Sequence, residues 1–414
     1  MNETRRIIGN TAAQGAGKLV TLGLSLVLTA FLTRSLGSSG YGVYVFVTSL
    51  VLLFGSMSDW GTSIIGVREA VANQARRAEI FGVVVQMRLG LALAAFLILN
   101  LCVRLVPSWG SLIGEVTVAS LVLVFLSLKS SAEMIFHARL QLGWKAMMEV
   151  VSSTVFLCMV IGGVLAVERV GGVLWAWVAA TGSAAFFGWM VLLRYEKIDW
   201  TIRTDLTRKL FGEILPTGAL LLLFSVYNKV DVLILEHFKG DAAVGIYGLA
   251  YKAYDNLVIG AAFLMNSVFP GMASDFARGD RMSVVKRFKG LFKVLVAGGV
   301  VLAGGVIVFA PFVIEILGGK EFMPAVIPLR WLSMATVFSY LNHLTGYSLI
   351  AFGKQRVSLM IAVGALIFNI LLNWWLIPLY SYEAAAVVTG LTEAVVFMFS
   401  MLSIVYFFKS HTEE

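Results

Sequence analysis

Four ionisable residues interrupt an apolar stretch between Tyr227 and Asp255: Lys229, Asp231, Lys252 and Asp255. Hydropathy predicts that this stretch ends one membrane-spanning helix, passes through a short loop and begins the next, so the two helices must be neighbours. A charge at membrane depth costs roughly 2.5–3.5 kcal/mol on insertion scales and usually faces a bundle interior or a wet cavity. The stretch is therefore the first candidate for a ligand site.

Tyrosines accompany these charges on the second of the two helices. Tyr247, Tyr251 and Tyr254 recur at helical spacing beside Lys252, which lies three residues before Asp255. Ammonium groups attract phosphate, and aromatic rings pack on the apolar faces of sugars, so this wall suits a ligand that carries both. The alternative is an intrahelical ion pair next to tyrosines of the interfacial aromatic belt.

Other polar residues within predicted spans extend the set of candidates. Arg34 and Arg330 lie toward the outer side, where they either bind an anion or extend to the headgroups. Arg88 and Asp59 lie toward the cytoplasmic side and are expected to pair across helices unless they line the cavity. The remaining polar positions are Glu393, a Lys129–Glu133 pair expected at the surface, and Asn369 and Asn373, expected to hydrogen-bond between helices.

Composition explains why these charges matter. The 414-residue chain is 59% hydrophobic and 14% charged, whereas soluble domains are about 25% charged. A polytopic all-α membrane protein is predicted, since a span needs about 20 mostly apolar residues. Twelve stretches qualify: 12–35, 41–66, 79–105, 111–134, 147–167, 171–193, 211–235, 244–270, 291–316, 323–351, 357–378 and 384–407.

Lysine and arginine predict the orientation. Most of the 32 fall in one alternate set of loops, and the other set holds only Arg104, Arg169, Lys239 and Lys320. Basic loops stay in the cytoplasm, so both termini are expected there. The protein itself is expected to cross the inner (plasma) membrane several times. The excess of positive charge, +8, is explained in the same way and needs no nucleic acid.

A weak repeat predicts two parallel halves. The segments 36–44 (LGSSGYGVY) and 239–247 (KGDAAVGIY) each precede an even-numbered span and lie 203 residues apart. Six spans between them give both halves the same orientation, as in transporters with two lobes. We therefore expect an N-lobe at 1–195, a basic cytoplasmic linker at 196–210 and a C-lobe at 211–414.

Motifs for chemistry are missing from the sequence. It contains no Walker A loop, zinc-ligand spacing or nucleophile elbow, and it is expected to be neither an enzyme nor a binder of a cofactor or metal. Uphill transport would then draw on a proton or sodium gradient or on coupled synthesis. The carboxylates that could couple such an ion are Asp59, Asp231, Asp255 and Glu393.

Several short motifs resemble one family over nearly the whole chain. The segments 33–37 (TRSLG) and 41–44 (YGVY) are similar to the start of the Wzx-type O-antigen and exopolysaccharide flippases, polysaccharide transporters of the MOP superfamily. The other matching motifs are 59–61 (DWG), 67–69 (VRE), 229–231 (KVD), 244–247 (VGIY) and 250–252 (AYK). At Lys229 the family often has arginine, and lysine lacks arginine's bidentate fork for phosphate.

The resemblance implies a fold and a task. It implies two six-helix lobes around a central cavity, as in the multidrug and toxin extrusion (MATE) transporters and the lipid II flippases. The task would be to move an undecaprenyl-diphosphate-linked oligosaccharide from the inner to the outer leaflet by alternating access. A monomer would suffice, with a glycan polymerase or another assembly protein as candidate partner. The expected substrate-binding residues are Lys229, Lys252, Arg34, Arg330, Arg88, Tyr251 and Tyr254.

Two other functions remain open at this stage. An ion-coupled drug or cation antiporter of the same fold would use an acidic or apolar cavity, which the paired lysines disfavour. A membrane glycosyltransferase, polymerase or ligase would need a substantial outer loop, and the predicted outer loops have only several residues each.

Overall fold

The structure, a computed structural model, describes residues 3–163 and 170–410, with side chains from residue 15 onward except at 281, 409 and 410. The predicted end of the fifth span, Arg169 and the extreme termini lie outside the described residues. Throughout the described chain the regular structure is helical. The polytopic all-α class predicted from composition is confirmed.

Eleven α-helices make up the described part of the chain. They are α1 (Glu3–Asp59), α2 (Thr62–Ala72), α3 (Arg77–Leu105), α4 (Ile113–Ala138), α5 (Leu142–Gly163), α6 (Val170–Leu192), α7 (Thr204–Tyr227), α8 (Val230–Ala277), α9 (Arg281–Gly318), α10 (Val326–Ala351) and α11 (Gln355–Ser410). Short 3₁₀ turns precede α3, α4 and α10.

Three of these helices are too long for one crossing. α1 has 57 residues, α8 has 48 and α11 has 56, and at about 1.5 Å per residue each is more than twice the length that a bilayer core accommodates. Each contains one non-helical residue: Gly37, Gly240 and Ser381, respectively. Nine segments of the described chain are long and apolar enough to span a membrane. The count of twelve crossings stays a prediction in which each long helix turns back once.

The predicted repeat has a counterpart in the backbone. Gly37 has φ 66° and ψ −177°, and Gly240 has φ 73° and ψ −177°. This combination is essentially restricted to glycine, because a Cβ atom would clash with the backbone. The two matching segments therefore make the same turn at the same place.

Two further breaks divide predicted spans. Span two is interrupted after Asp59, where Trp60 has φ 39° and Gly61 has φ 81° before α2 begins. Span seven is interrupted at Asn228 and Lys229, between α7 and α8. Broken helices expose backbone polar groups, which membrane proteins tolerate only in protein-lined or wet surroundings.

The chain forms two compact units, Met1–Lys229 and Val230–Glu414. The first unit includes α7, because Leu206, Leu210 and Ile214 are buried in a cluster with residues of α2, α3 and α4 such as Phe81 and Phe136. The division by packing thus falls after Lys229, and the C-lobe at 211–414 stays a prediction from the repeat.

The segment predicted as a linker packs within the first unit. Only residues 193–203 lack a regular helix, since α7 begins at Thr204. Glu196 binds both Arg77 and Arg139, and the Asp199 amide donates to the Ala78 carbonyl at 3.1 Å. Hydrogen bonds from the Thr201 hydroxyl and amide lower the pKa of the Asp199 carboxyl below its usual value.

The second unit has its own core. It is formed by α8, α9, α10 and α11, and its buried members include Met265, Phe288, Leu344 and Ile404. Phe276, Phe352, Phe407 and Phe408 make a cluster of aromatic rings at one end of these helices.

Candidate functional site

Asp231 is held in a buried hydrogen-bonded network within the second unit. Its carboxylate accepts from the hydroxyl of Tyr247 and from the amide of Val232 at 2.8 Å, and the Tyr247 hydroxyl lies 3.3 Å from Thr389 Oγ1. Asp231 is 4% exposed and Tyr247 is fully buried. Because Asp231 also lies in the first turn of α8, its charge complements the positive end of the helix dipole.

The tyrosine stripe predicted on α8 exists, but only part of it is accessible. Neighbouring ring centroids are 5.6 Å apart for Tyr247 and Tyr251 and 5.5 Å apart for Tyr251 and Tyr254. Tyr254 is only 3% exposed, because this side of α8 packs on other helices of its unit. In this conformation the ring of Tyr251 is therefore partly accessible and that of Tyr254 is not.

The charged residues of the same face remain partly accessible. Lys252 is half-buried, as Tyr251 is, and Asp255 is exposed. Lys229 is also half-buried and lies in the break between α7 and α8 rather than inside a helix.

Arg88 and Asp59 pair across helices as predicted. Arg88 is fully buried, and its guanidinium contacts the Asp59 carboxylate, Thr62 Oγ1 at 2.7 Å and Ser131 Oγ at 3.4 Å. Asp59 also accepts from the amide of Ser63 at 3.2 Å, so it caps the start of α2 just after the break. This geometry stabilises the broken second span and leaves Arg88 no exposed surface for a substrate.

The two outer arginines differ in their surroundings. Arg34 is exposed at the end of the first part of α1, three residues before Gly37. Arg330 is also exposed, but its Nε donates to the Ile307 carbonyl of α9 at 3.1 Å. Arg330 thus has a backbone partner in addition to any ligand.

Glu393 and the two asparagines of α11 occupy separate networks. Asn342 Nδ2 of α10 donates to the Glu393 carboxylate at 2.7 Å. Asn373 donates to Asn369 at 2.9 Å, and Asn369 donates to Thr392 at 3.2 Å, across the two segments of α11. The hydrogen bond of Asn369 to Thr392 joins two helical segments as predicted, whereas Asn373 bonds to Asn369 within its own segment.

A charge cluster around one buried lysine was not predicted from the sequence. Lys129 is not at the surface as predicted but is 8% exposed, and its Nζ lies 3.2 Å from Glu133 and 2.9 Å from Glu149 of α5. Lys145 lies 3.8 Å from Glu133. The i,i+4 spacing of Lys129 and Glu133 was visible in the sequence, but their burial depends on the packing of α5 against α4.

Ion pairs join α7 to α2, and a glycine of α7 lies close to the break that precedes α2. Lys209 Nζ lies 3.0 Å from Glu69, and Arg68 contacts Glu213. Nearby, a Cβ atom on Gly218 would lie 2.1 Å from the Trp60 ring. The backbone of α7 at Gly218 therefore lies directly against the Trp60 ring.

Comparison with known proteins identifies the family. The model of a polysaccharide biosynthesis protein family matches residues 7–275, and the MatE model matches residues 216–375. The chain belongs to the polysaccharide biosynthesis protein family. No curated protein matches this family member by sequence.

Solved structures show that this polysaccharide biosynthesis protein has the MOP-superfamily fold. An inward-facing multidrug resistance MATE transporter has a TM-score of 0.75 at 14% identity, with 94% of this chain and 96% of that chain covered. The lipid II flippase MurJ, in an inward closed conformation, has a TM-score of 0.76 at 12% identity, with 94% and 87% covered. The predicted family and the predicted MATE-like fold are both confirmed.

A third similar structure concerns pocket charge. It is a MOP superfamily transporter from Pyrococcus furiosus, for which a reversed polarity of the binding pocket has suggested a different function. Its TM-score is 0.67 at 12% identity, with 98% of this chain and 96% of that chain covered. At such identities the likeness establishes the fold only.

Proposed function

We propose that this protein is a flippase that moves an undecaprenyl-diphosphate-linked oligosaccharide from the cytoplasmic to the outer leaflet of the inner membrane. Membership of a polysaccharide biosynthesis family and the MOP fold support a transporter in glycan assembly. The chemistry of α8 and of the break that precedes it supports this substrate.

The observation that carries the proposal is the partial exposure of two lysines and a tyrosine close together in the chain. Lys229, Lys252 and Tyr251 are partly exposed, whereas Asp231 is buried and accepts hydrogen bonds from Tyr247 and the backbone. A diphosphate needs cationic partners, and a pyranose ring needs an aromatic surface. The accessible groups supply both.

Among the cations, Lys229 and Lys252 are proposed to contact the diphosphate first. Arg34 is the next candidate because it is exposed near the turn at Gly37. Arg330 is exposed as well and also donates to a backbone carbonyl, and Arg88 comes last because it is buried against Asp59.

Coupling to an ion is proposed at Glu393 rather than at Asp59 or Asp231. Asp59 is paired with Arg88, and Asp231 is held by Tyr247. Glu393 has an amide partner, Asn342, and forms no ion pair with a lysine or arginine among the described residues. A carboxylate without a cation can exchange a proton or sodium ion at lower cost. Asp255, on the exposed side of α8, is the second candidate.

Topology and partners complete the proposal. The positive-inside rule supports a cytoplasmic location for both termini, and the separate buried core of each unit supports a monomer. A glycan polymerase in the same membrane would consume the product.

A drug or cation antiporter is the second candidate function. The MatE match over residues 216–375 favours it. It would use accessible carboxylates and would show no requirement for Lys229 or Lys252.

The test is the appearance of a fluorescent undecaprenyl-diphosphate oligosaccharide in the outer leaflet of proteoliposomes. We expect translocation by the native protein, loss in Lys229→Glu plus Lys252→Glu, and retention in Lys229→Arg plus Lys252→Arg. Lys239→Glu plus Lys320→Glu is the matched control, since both lysines are exposed and the change of charge is identical. Absence of translocation with or without a proton or sodium gradient, together with gradient-driven efflux of a cationic dye, would favour the antiporter.

A further inference from the structure

α9 is longer than the membrane requires. Its 38 residues extend about 57 Å at 1.5 Å per residue, whereas the hydrocarbon core is about 30 Å thick. The sequence has no charged residue from Val294 to Ile314, which is enough for one crossing. The preceding turns, residues 281–293, must then lie at the level of the lipid headgroups, on the side that the positive-inside rule makes cytoplasmic.

These first turns have one packed side. Val284, Phe288 and Leu291 are buried in the core of the second unit. Next to them, Arg287 pairs with Asp275 of α8 at 2.8 Å. The packed side therefore contains a cation whose charge is compensated within the protein.

The opposite side is a lysine stripe, formed by Met282, Val285, Lys286, Lys289, Gly290 and Lys293. The spacing of three and four residues aligns them along one side of the helix, where they line an open groove of about 760 Å³. All three lysines are exposed, and none pairs with a carboxylate among the described residues. Three uncompensated positive charges thus lie within about 10 Å of helix length.

Above the lysine stripe the same side of α9 becomes smooth and apolar. Ala297, Val301, Gly304 and Val308 continue it at intervals of three and four residues, and all are exposed. Small and aliphatic side chains there leave room for hydrocarbon chains to lie along the helix. Cationic and apolar sections therefore follow one another in the order of a phospholipid's headgroup and tails.

We propose that the lysine stripe binds the phosphodiester headgroup of an anionic phospholipid of the cytoplasmic leaflet. Basic residues just cytoplasmic of a membrane-spanning helix attract anionic lipids, each residue contributing about 1 kcal/mol near the surface. The lipid neutralises charges for which the described protein provides no acid, and its tails pack on the section that contains Val301. The lysine stripe shares no residue with the site proposed for the transported substrate.

The test measures retention of lipid by the full chain in phosphatidylcholine nanodiscs that contain a small fraction of fluorescent phosphatidylglycerol. Lys286→Gln, Lys289→Gln and Lys293→Gln are combined in one variant. We expect at least a tenfold loss of bound phosphatidylglycerol, and recovery when the three residues are arginine instead. The binding should weaken as salt rises, because the charges are exposed.

A matched triple removes three exposed cations from the same predicted side: Arg194→Gln, Lys197→Gln and Arg208→Gln. This control should keep its lipid, and all variants should unfold at the same temperature in pure phosphatidylcholine. Equal loss in both triples would show a general charge effect and overturn the site, as would full retention in the stripe variant.

A further arm separates a lipid site from a site for free anions. Glycerophosphoglycerol, which has the headgroup without the tails, and inorganic phosphate are added at millimolar concentration to lipid-loaded protein. Retention of phosphatidylglycerol supports the lipid assignment. Displacement by either soluble anion would reassign the lysine stripe to free phosphates and overturn the proposal.

Discussion

Arg330 replaces a hydrogen bond that Pro311 removes from α9. Pro311 has no amide hydrogen, so the carbonyl four residues earlier in α9, that of Ile307, loses its helical partner. The Nε of Arg330, on α10, donates to this same carbonyl at 3.1 Å. An unsatisfied carbonyl is expensive within a membrane, and the arginine removes that cost.

This relationship predicts non-additive effects on stability. Arg330→Ala should lower the free energy of unfolding by about 1 kcal/mol, in line with the loss of a hydrogen bond. In a Pro311→Ala background, residue 311 donates to Ile307 and the same change should cost much less. Thermal unfolding of the four proteins in detergent measures the coupling. Additive effects, together with a selective loss of transport, would instead assign Arg330 to the substrate.

The Arg88–Asp59 pair predicts a defect in folding rather than in substrate binding. Removing one partner of a buried pair leaves an uncompensated charge, at a cost of about 3–5 kcal/mol. Arg88→Gln should therefore reduce the amount of folded protein, and Arg88→Gln with Asp59→Asn should recover part of it. Size-exclusion profiles and unfolding temperatures provide the measurement. A fully stable Arg88→Gln variant that cannot transport would contradict this assignment.

The contact between Gly218 and Trp60 predicts that a single methyl group disturbs α7. Gly218→Ala would place a Cβ within the indole ring, whereas Gly212→Ala, on the same helix, has nothing within 4 Å. We expect Gly218→Ala to displace α7 and so to increase its cleavage by proteases. Gly212→Ala should be neutral or slightly stabilising. Equal behaviour of the two variants would show that the Trp60 ring moves aside without loss of stability.

Burial separates the roles of two neighbouring tyrosines. Tyr251→Ala should lower translocation of the lipid-linked sugar at least tenfold with little change in unfolding temperature, because its ring is accessible. Tyr254→Ala should destabilise the protein by about 3 kcal/mol, as a cavity forms where a buried ring is lost. Both variants are compared in the proteoliposome assay after their unfolding temperatures are recorded. Reversed phenotypes would mean that α8 turns its other side to the substrate.

Several of these features could be predicted from residue types alone. Hydropathy located the membrane-spanning stretches, and the matching glycines at 37 and 240 were visible in the repeat. The pairing of Arg88 with Asp59 followed from the high cost of isolated charges in a membrane.

Other features depend on contacts that no local pattern contains. Lys129 is buried because α5 covers it, and Tyr254 is buried because other helices pack on α8. No proline or glycine lies at the break at Asn228, so the local sequence did not predict it. The first part of α7 belongs to the first unit because three of its apolar side chains fit a cluster formed by helices far away in the sequence.

Ser381 predicts a stabilising substitution. It has φ 55° and ψ −139°, close to a region that non-glycine residues rarely occupy. Ser381→Gly should relieve strain of about 1–3 kcal/mol and lose roughly 0.5–1 kcal/mol through added freedom of the unfolded chain. A rise in unfolding temperature is expected, and Ser381→Val should produce a fall. No change in either variant would mean that the surrounding helices set this turn without strain.

The matching turns at Gly37 and Gly240 have a consequence for the ancestry of the chain. Two segments 203 residues apart that make the same glycine-restricted turn are most simply explained by duplication of a gene of half this length. An even number of crossings between the copies would give both the same topology, so the shorter ancestor could have worked as a homodimer before fusion. Tyr251, Lys252 and Tyr254 of α8 would then be acquired after the two copies diverged, since the first copy has threonine, serine and valine at the matching positions 48, 49 and 51.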